Sequence, residues 1–158
     1  MTHVEVTGPA VPRFSRREVT SFARQVLLAL EKMDRLPEPI TEVSIAFVDD
    51  EAMKNLNRQF RKKNKTTDVL TFPADDSYVE PVGNAKSPAK SNARPLGDIV
   101  ISIDQARRQA IEEKHSLPTE LRYLIVHGVL HALGFDHETD SGEMNDLETE
   151  VRALVGLE

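Results

Sequence analysis

The segment L-I-V-H-G-V-L-H-A-L-G-F-D-H, residues 124–137, constrains this chain more than any other stretch. From residue 118 to 133 a helix would be apolar nearly all round, through Leu121, Leu124, Ile125, Val129, Leu130, Ala132 and Leu133. Such a helix has almost no face to give to solvent, so it belongs at the buried centre of the domain. His127 and His131 stand within it, and with His137 they form H-x-x-x-H-x-x-G-x-x-H. Residues four apart on a helix share a face, so two imidazoles can point at one ion. Gly134 suits a left-handed stop that turns the chain and lets a third histidine return to the same point.

The ordinary alternative is that these are core histidines, each with its own hydrogen-bond partner. Three of the chain's five histidines fall within eleven residues around a glycine. Each buried imidazole would then have to be desolvated and satisfied separately, and a shared metal is the simpler reading. Three imidazoles with one position open to water make a catalytic type of zinc site, and the absence of cysteine excludes a thiolate-rich structural one. Zinc leads, with Fe, Co and Ni also compatible with an all-imidazole set. The spacing matches the histidines and glycine of the extended zinc-protease motif H-E-x-x-H-x-x-G-x-x-H. It departs at Gly128, where those proteases carry their general-base glutamate. A peptidase therefore lacks its main catalytic group here. Asp136 and Glu138 are the nearby carboxylates, either as proton acceptors or as groups that orient a histidine ring.

At 158 residues and 39% hydrophobic content, the chain reads as one globular domain, 1–158. A domain of this size buries roughly 70% of its unfolded surface. The N-terminal residues show no basic region followed by an apolar run, no stretch approaches membrane-span length, and there is no cysteine. These features lead us to expect a cytoplasmic protein with no membrane partner. The net charge of −6 looks unfavourable for nucleic acid until it is located. Residues 138–158 hold seven acids against one base, Arg152, which accounts for the whole excess and leaves 1–137 formally neutral. Within that neutral part lies a basic run, Arg58, Arg61, Lys62, Lys63 and Lys65. Alone it could be only a solvated face.

Periodicity predicts a weak edge strand at residues 3–6 and an amphipathic helix over 15–33, with Ser15 and Glu18 placed as a capping box. Residues 43–47 alternate as a half-buried strand, and Asp49 or Asp50 can cap a helix carrying Met53, Leu56 and Phe60. Strands follow at 68–72 and 97–103, separated by a Pro/Ser/Asn/Lys-rich stretch, 74–96, which reads as a mobile insertion. A helix from Asp104 to about His115, the histidine helix from Pro118, and an acidic helix over about 141–154 complete the chain. The order predicts an α+β (mixed α/β) domain: a sheet of about four strands packed by helices, with a buried central metal-binding helix.

Taken together, four ordered stretches resemble the YbeY family of bacterial endoribonucleases. H-G-V-L-H-A-L-G-F-D-H is similar to the family's H-G-x-L-H-L-x-G-Y/F-D-H. Leu56-Asn57 leads into Phe60-Arg61 and Asn64-Lys65; T-D-V-L-T-F-P from Thr67 resembles T-D/N-V-L-S-F-P; G-D-I-V-I-S from Gly97 resembles G-D-I-x-I-S. The likeness spans about residues 41–155, with Ala132 and Thr71 as small departures and a longer connection between Pro73 and Pro95. It implies a single-strand-specific, zinc-dependent endoribonuclease of rRNA 3′-end maturation and ribosome quality control. Its partners would be single-stranded RNA or rRNA, the ribosome or small subunit and assembly factors, with no DNA expected. By position it makes His127, His131 and His137 the zinc ligands and Arg61 the functionally required arginine. Lys63 and Lys65 then read as phosphate contacts. The competing readings are a metallohydrolase for another substrate and a non-catalytic ribosome-assembly factor with a structural zinc.

Overall fold

The computed structural model describes residues 2–36, 38–74, 93–135 and 142–157. Its elements run β1 (His3–Thr7), α1 (Arg16–Lys32), β2 (Glu42–Val48), α2 (Asp50–Arg61), β3 (Val69–Pro73), β4 (Pro95–Ser102), α3 (Ile103–Glu113), α4 (Leu117–Ala132) and α5 (Glu143–Leu154). Local chemistry sets most of these boundaries. Ser15 and Glu18 exchange hydrogen bonds in a capping box at the start of α1, with Glu18 N to Ser15 Oγ at 3.1 Å and Ser15 N to Glu18 Oε1 at 2.9 Å. Asp49 caps α2 and Ser116 caps α4 by accepting from the amides of Ala52 and Thr119.

The sheet order is β1-β2-β4-β3. β1, β2 and β4 are parallel, whereas β3 closes one edge antiparallel to β4, pairing Val69 with Ile101 and Phe72 with Asp98. Alternation along the strands sorts the apolar residues into two layers. Val43, Ile45, Phe47, Ile99 and Ile101 face the large core shared with α1, α4 and α5. Leu70 and Val100 face Met53 of α2 on the other side. The predicted α+β class and four-stranded sheet hold, and α4 is the helix buried most nearly all round: Leu121, Ile125, Val126, Val129 and Leu130 are each fully enclosed.

The strand expected at 68–72 runs Val69–Pro73, and two larger differences lie around β4. Ile103 opens α3 instead of ending β4, because Ser102 Oγ accepts the Gln105 amide at 3.1 Å and so caps the helix one residue earlier. The predicted insertion also ends sooner: Pro95 pairs with Glu42 and Leu96 is buried in the core, so both belong to β4. The rest of that stretch, 75–92, lies outside the described residues.

A polar clip joins α2, β4, α3 and the connection into β3. The Asp50 carboxylate accepts from Ser102 Oγ and Thr66 Oγ1, each at 3.1 Å, and from Arg108 Nη2 at 2.8 Å, while the Asp50 amide donates to Asp104 at 2.9 Å. Partial burial works against the charged form of Asp50. The hydrogen bonds from Arg108, Ser102 and Thr66 outweigh it and hold the carboxyl below its ordinary value.

Candidate active site

His127 and His131 lie one turn apart on α4, and their Nε2 atoms converge to 3.0 Å. The rings meet edge-on, with centroids 4.5 Å apart and planes at 68°. Behind them, His127 Nδ1 lies 3.2 Å from Glu148 Oε2 on α5. Glu148 is only 4% exposed and also accepts from Arg152 Nη2 at 3.1 Å. A carboxylate held by a guanidinium can only accept, so it keeps the proton on Nδ1 and turns the lone pair of Nε2 toward His131. Two imidazole nitrogens bound to one tetrahedral zinc at 2.0–2.1 Å stand about 3.3 Å apart. The donor pair therefore fits a metal, and the C-terminal, carbonyl end of the α4 dipole favours a cation there.

The helix stop is as predicted. Gly134 has φ +106°, its amide bonds to His131 O at 2.9 Å, and the Phe135 amide bonds to Leu130 O at 3.1 Å. This is a Schellman arrangement, with Phe135 packed back on the core. His137, Asp136 and Glu138, expected as third ligand and as assisting carboxylates, lie outside the described residues. Among the described residues, no three histidines or carboxylates converge as a complete metal cage.

Gly128 is packed tightly against the sheet. A Cβ there would come within 2.7 Å of Ile99 Cγ2 and 3.5 Å of Val69 Cγ2. The position that supplies the protease base thus faces buried β4, and no carboxylate fits there. On the solvent side, His127 and Glu148 border a cavity of about 530 Å³. Asp68, Glu112, Glu113 and Glu120 share its lining, and Glu120 is 2.6 Å from His115 Nε2. This acidic wall is unsuited to phosphate.

The basic residues stand elsewhere. α2 packs on the opposite face of the sheet from α4, and Arg61 ends it. Among the described residues Arg61 shares no hydrogen bond or ion pair with either histidine. Lys62 follows in the left-handed region, φ +58°, and turns the chain back. Buried Asn57 donates to Lys65 O at 2.9 Å and fixes the return, leaving Lys63 and Lys65 exposed. The two halves meet at β3. Its Val69 lies beside Gly128 of α4, and its Phe72 ring contacts Phe60 of α2.

Glu148 was not anticipated from the sequence. Its signal was present: it falls on the same face as Met144, Leu147 and Val151, all buried, and an acid on an apolar stripe needs a partner.

Comparison with known proteins identifies the family. The family profile of endoribonuclease YbeY matches residues 10–156. The chain belongs to the YbeY endoribonuclease family. An endoribonuclease YbeY of Nautilia profundicola is 46% identical over 116 residues, 73% of each chain. A YbeY of Bacillus cereus is 40% identical over 147 residues, 90% of each chain. One from Agrobacterium fabrum is 38% identical over 162 residues, covering 98% of this chain and 91% of its own. A solution structure from Thermotoga maritima superposes with a TM-score of 0.55 at 22% identity, over 98% of this chain and 90% of that one, and shares the fold. No described helix of this YbeY family member is long and apolar enough to cross a membrane.

Proposed function

We propose that this chain is a zinc-dependent endoribonuclease specific for single-stranded RNA, acting in rRNA 3′-end maturation and ribosome quality control with the small subunit and its assembly factors. The observation that carries the reading is the convergence of His127 and His131 Nε2, with Glu148 holding the proton on the far side of the His127 ring. His127, His131 and His137 would hold the ion. When bound, zinc supplies Lewis-acid chemistry toward water and a phosphoryl oxygen. The His127 ring is oriented by Glu148, which accepts from Nδ1 and leaves Nε2 facing His131.

Arg61 offers a planar guanidinium that can grip two phosphoryl oxygens as charge develops on them. Lys63 and Lys65 act as point charges along the backbone. A strand of RNA crossing the β3 edge would meet α4 on one side and the end of α2 on the other. The acidic wall beside His127 argues for approach from the β3 side. The peptidase alternative loses its base to the packing of Gly128 against Ile99.

Single-turnover cleavage of a defined single-stranded RNA tests this. The native protein should cut it, and a chelator should abolish cutting until zinc is restored. Arg61→Ala should slow cleavage by about 10²-fold or more with zinc content and melting temperature unchanged, and Arg61→Lys should rescue poorly. Cleavage indifferent to chelator would sink the metal reading. Zinc-loaded protein that binds RNA without cutting it would leave the non-catalytic assembly factor standing.

A further inference from the structure

The sequence between Ala52 and Thr67 contains six cations and no acid. In its midst stands Phe60, 56% exposed, the one aromatic among the exposed large apolar side chains of the described residues. The apolar stripe of α2 explains why. Met53 is fully buried under the sheet and Leu56 is partly covered, but by Phe60 the helix has run past the core. The ring is nevertheless held. Phe72 of the edge strand meets it edge-to-face, with centroids 5.2 Å apart and planes at 75°. An oriented aromatic ring in solvent, on a segment that also carries Arg58, Arg61, Lys62, Lys63 and Lys65, is the combination that receives single strands: cations track the phosphates and the ring offers a face to a base.

We propose that Phe60, braced by Phe72, is a base-stacking residue that seats one unpaired nucleobase of the RNA beside Arg61; this rests on the RNA-cleaving reading above. The charge of this segment selects the occupant. A protein partner would seek a wider apolar face, whereas a single ring among cations suits one base on a polyanionic chain. Stacking asks for an unpaired base, so this residue accounts for a preference for single strands that the metal alone does not. It acts by positioning, since it touches a base and not the scissile phosphate.

The chain has no tryptophan, so Phe60→Trp carries a single reporter at the proposed contact. Titrating that variant with single-stranded oligoadenylate should quench its emission, and an abasic oligomer of equal length should not. Phe60→Leu, which keeps an apolar side chain against Phe72, should weaken oligoadenylate binding about tenfold or more. Its affinity for the abasic oligomer, its salt dependence and its zinc content should stay at native values. Equal loss toward both oligomers, or none toward either, would overturn the stacking role alone. If the native chain bound neither oligomer, both this inference and the RNA-cleaving reading would fall.

Discussion

The carboxylate of Glu148 is nine-tenths enclosed and spends its charge on an imidazole N–H and a guanidinium. Its value lies in fixing which nitrogen of His127 keeps a lone pair. Glu148→Gln should therefore lower zinc affinity by about 10- to 100-fold, measured by competition with a chromogenic chelator, while the helical signal persists. Native affinity in that variant would reduce Glu148 to a packing residue. Gly128 makes a second test at this scale. Gly128→Ala should cost about 1–3 kcal/mol in chemical denaturation, because Ile99 is a branched side chain with no room to yield. Gly128→Glu should cost more and yield no proteolysis of casein. The histidine pair was legible in sequence because i, i+4 spacing is local. Glu148 was not, because its partner lies 21 residues away and only the packing of α5 on α4 brings them together.

Among the elements, most is decided by short-range polar chemistry, which is why residues 15, 49 and 134 could be read as boundaries before any packing was known. Ile103 could not, since an isoleucine after a run of strand residues continues the pattern until Ser102 caps it away. The clip at Asp50 is the element-scale feature with a pH signature. Its folded-state pKa is lowered, so it contributes stability above the ordinary aspartate range, near about 3.9, and that contribution is lost as pH falls through the lower folded value. Asp50→Asn should lose about 1 kcal/mol at neutral pH, the pair with Arg108 being exposed enough for solvent to screen it. The variant and native stabilities should converge as pH falls through that lowered value. A constant difference by urea titration at every pH would contradict this.

For the whole molecule, the governing fact is that the basic run and the histidine pair lie on different layers of one sheet, joined at the β3 edge. The α+β class was readable from the alternation of periods. The order β1-β2-β4-β3 was not, because nothing local says that the chain after β3 returns to insert β4 beside β2. The basic run was visible as composition, yet its relation to the histidines required both faces of the sheet. If the lysines only follow phosphates, Lys63→Ala and Lys65→Ala should each weaken single-strand binding alike for all sequences. Each should reduce the slope of log affinity against log salt by about 0.7. A loss confined to one RNA sequence would make them readers of bases.

The two glycines of the histidine segment are there for opposite reasons. Gly128 needs the smallest volume, since its backbone is ordinarily helical and the sheet stands against it. Gly134 has no described neighbour within 4 Å of a would-be Cβ, so what it supplies is achirality: freedom to occupy a region that L-residues avoid at about 1–2 kcal/mol. Asparagine tells the two requirements apart, tolerable where handedness is at issue and inadmissible where bulk is. One letter repeated six residues apart thus encodes two unrelated instructions, how close a helix lies and where it ends.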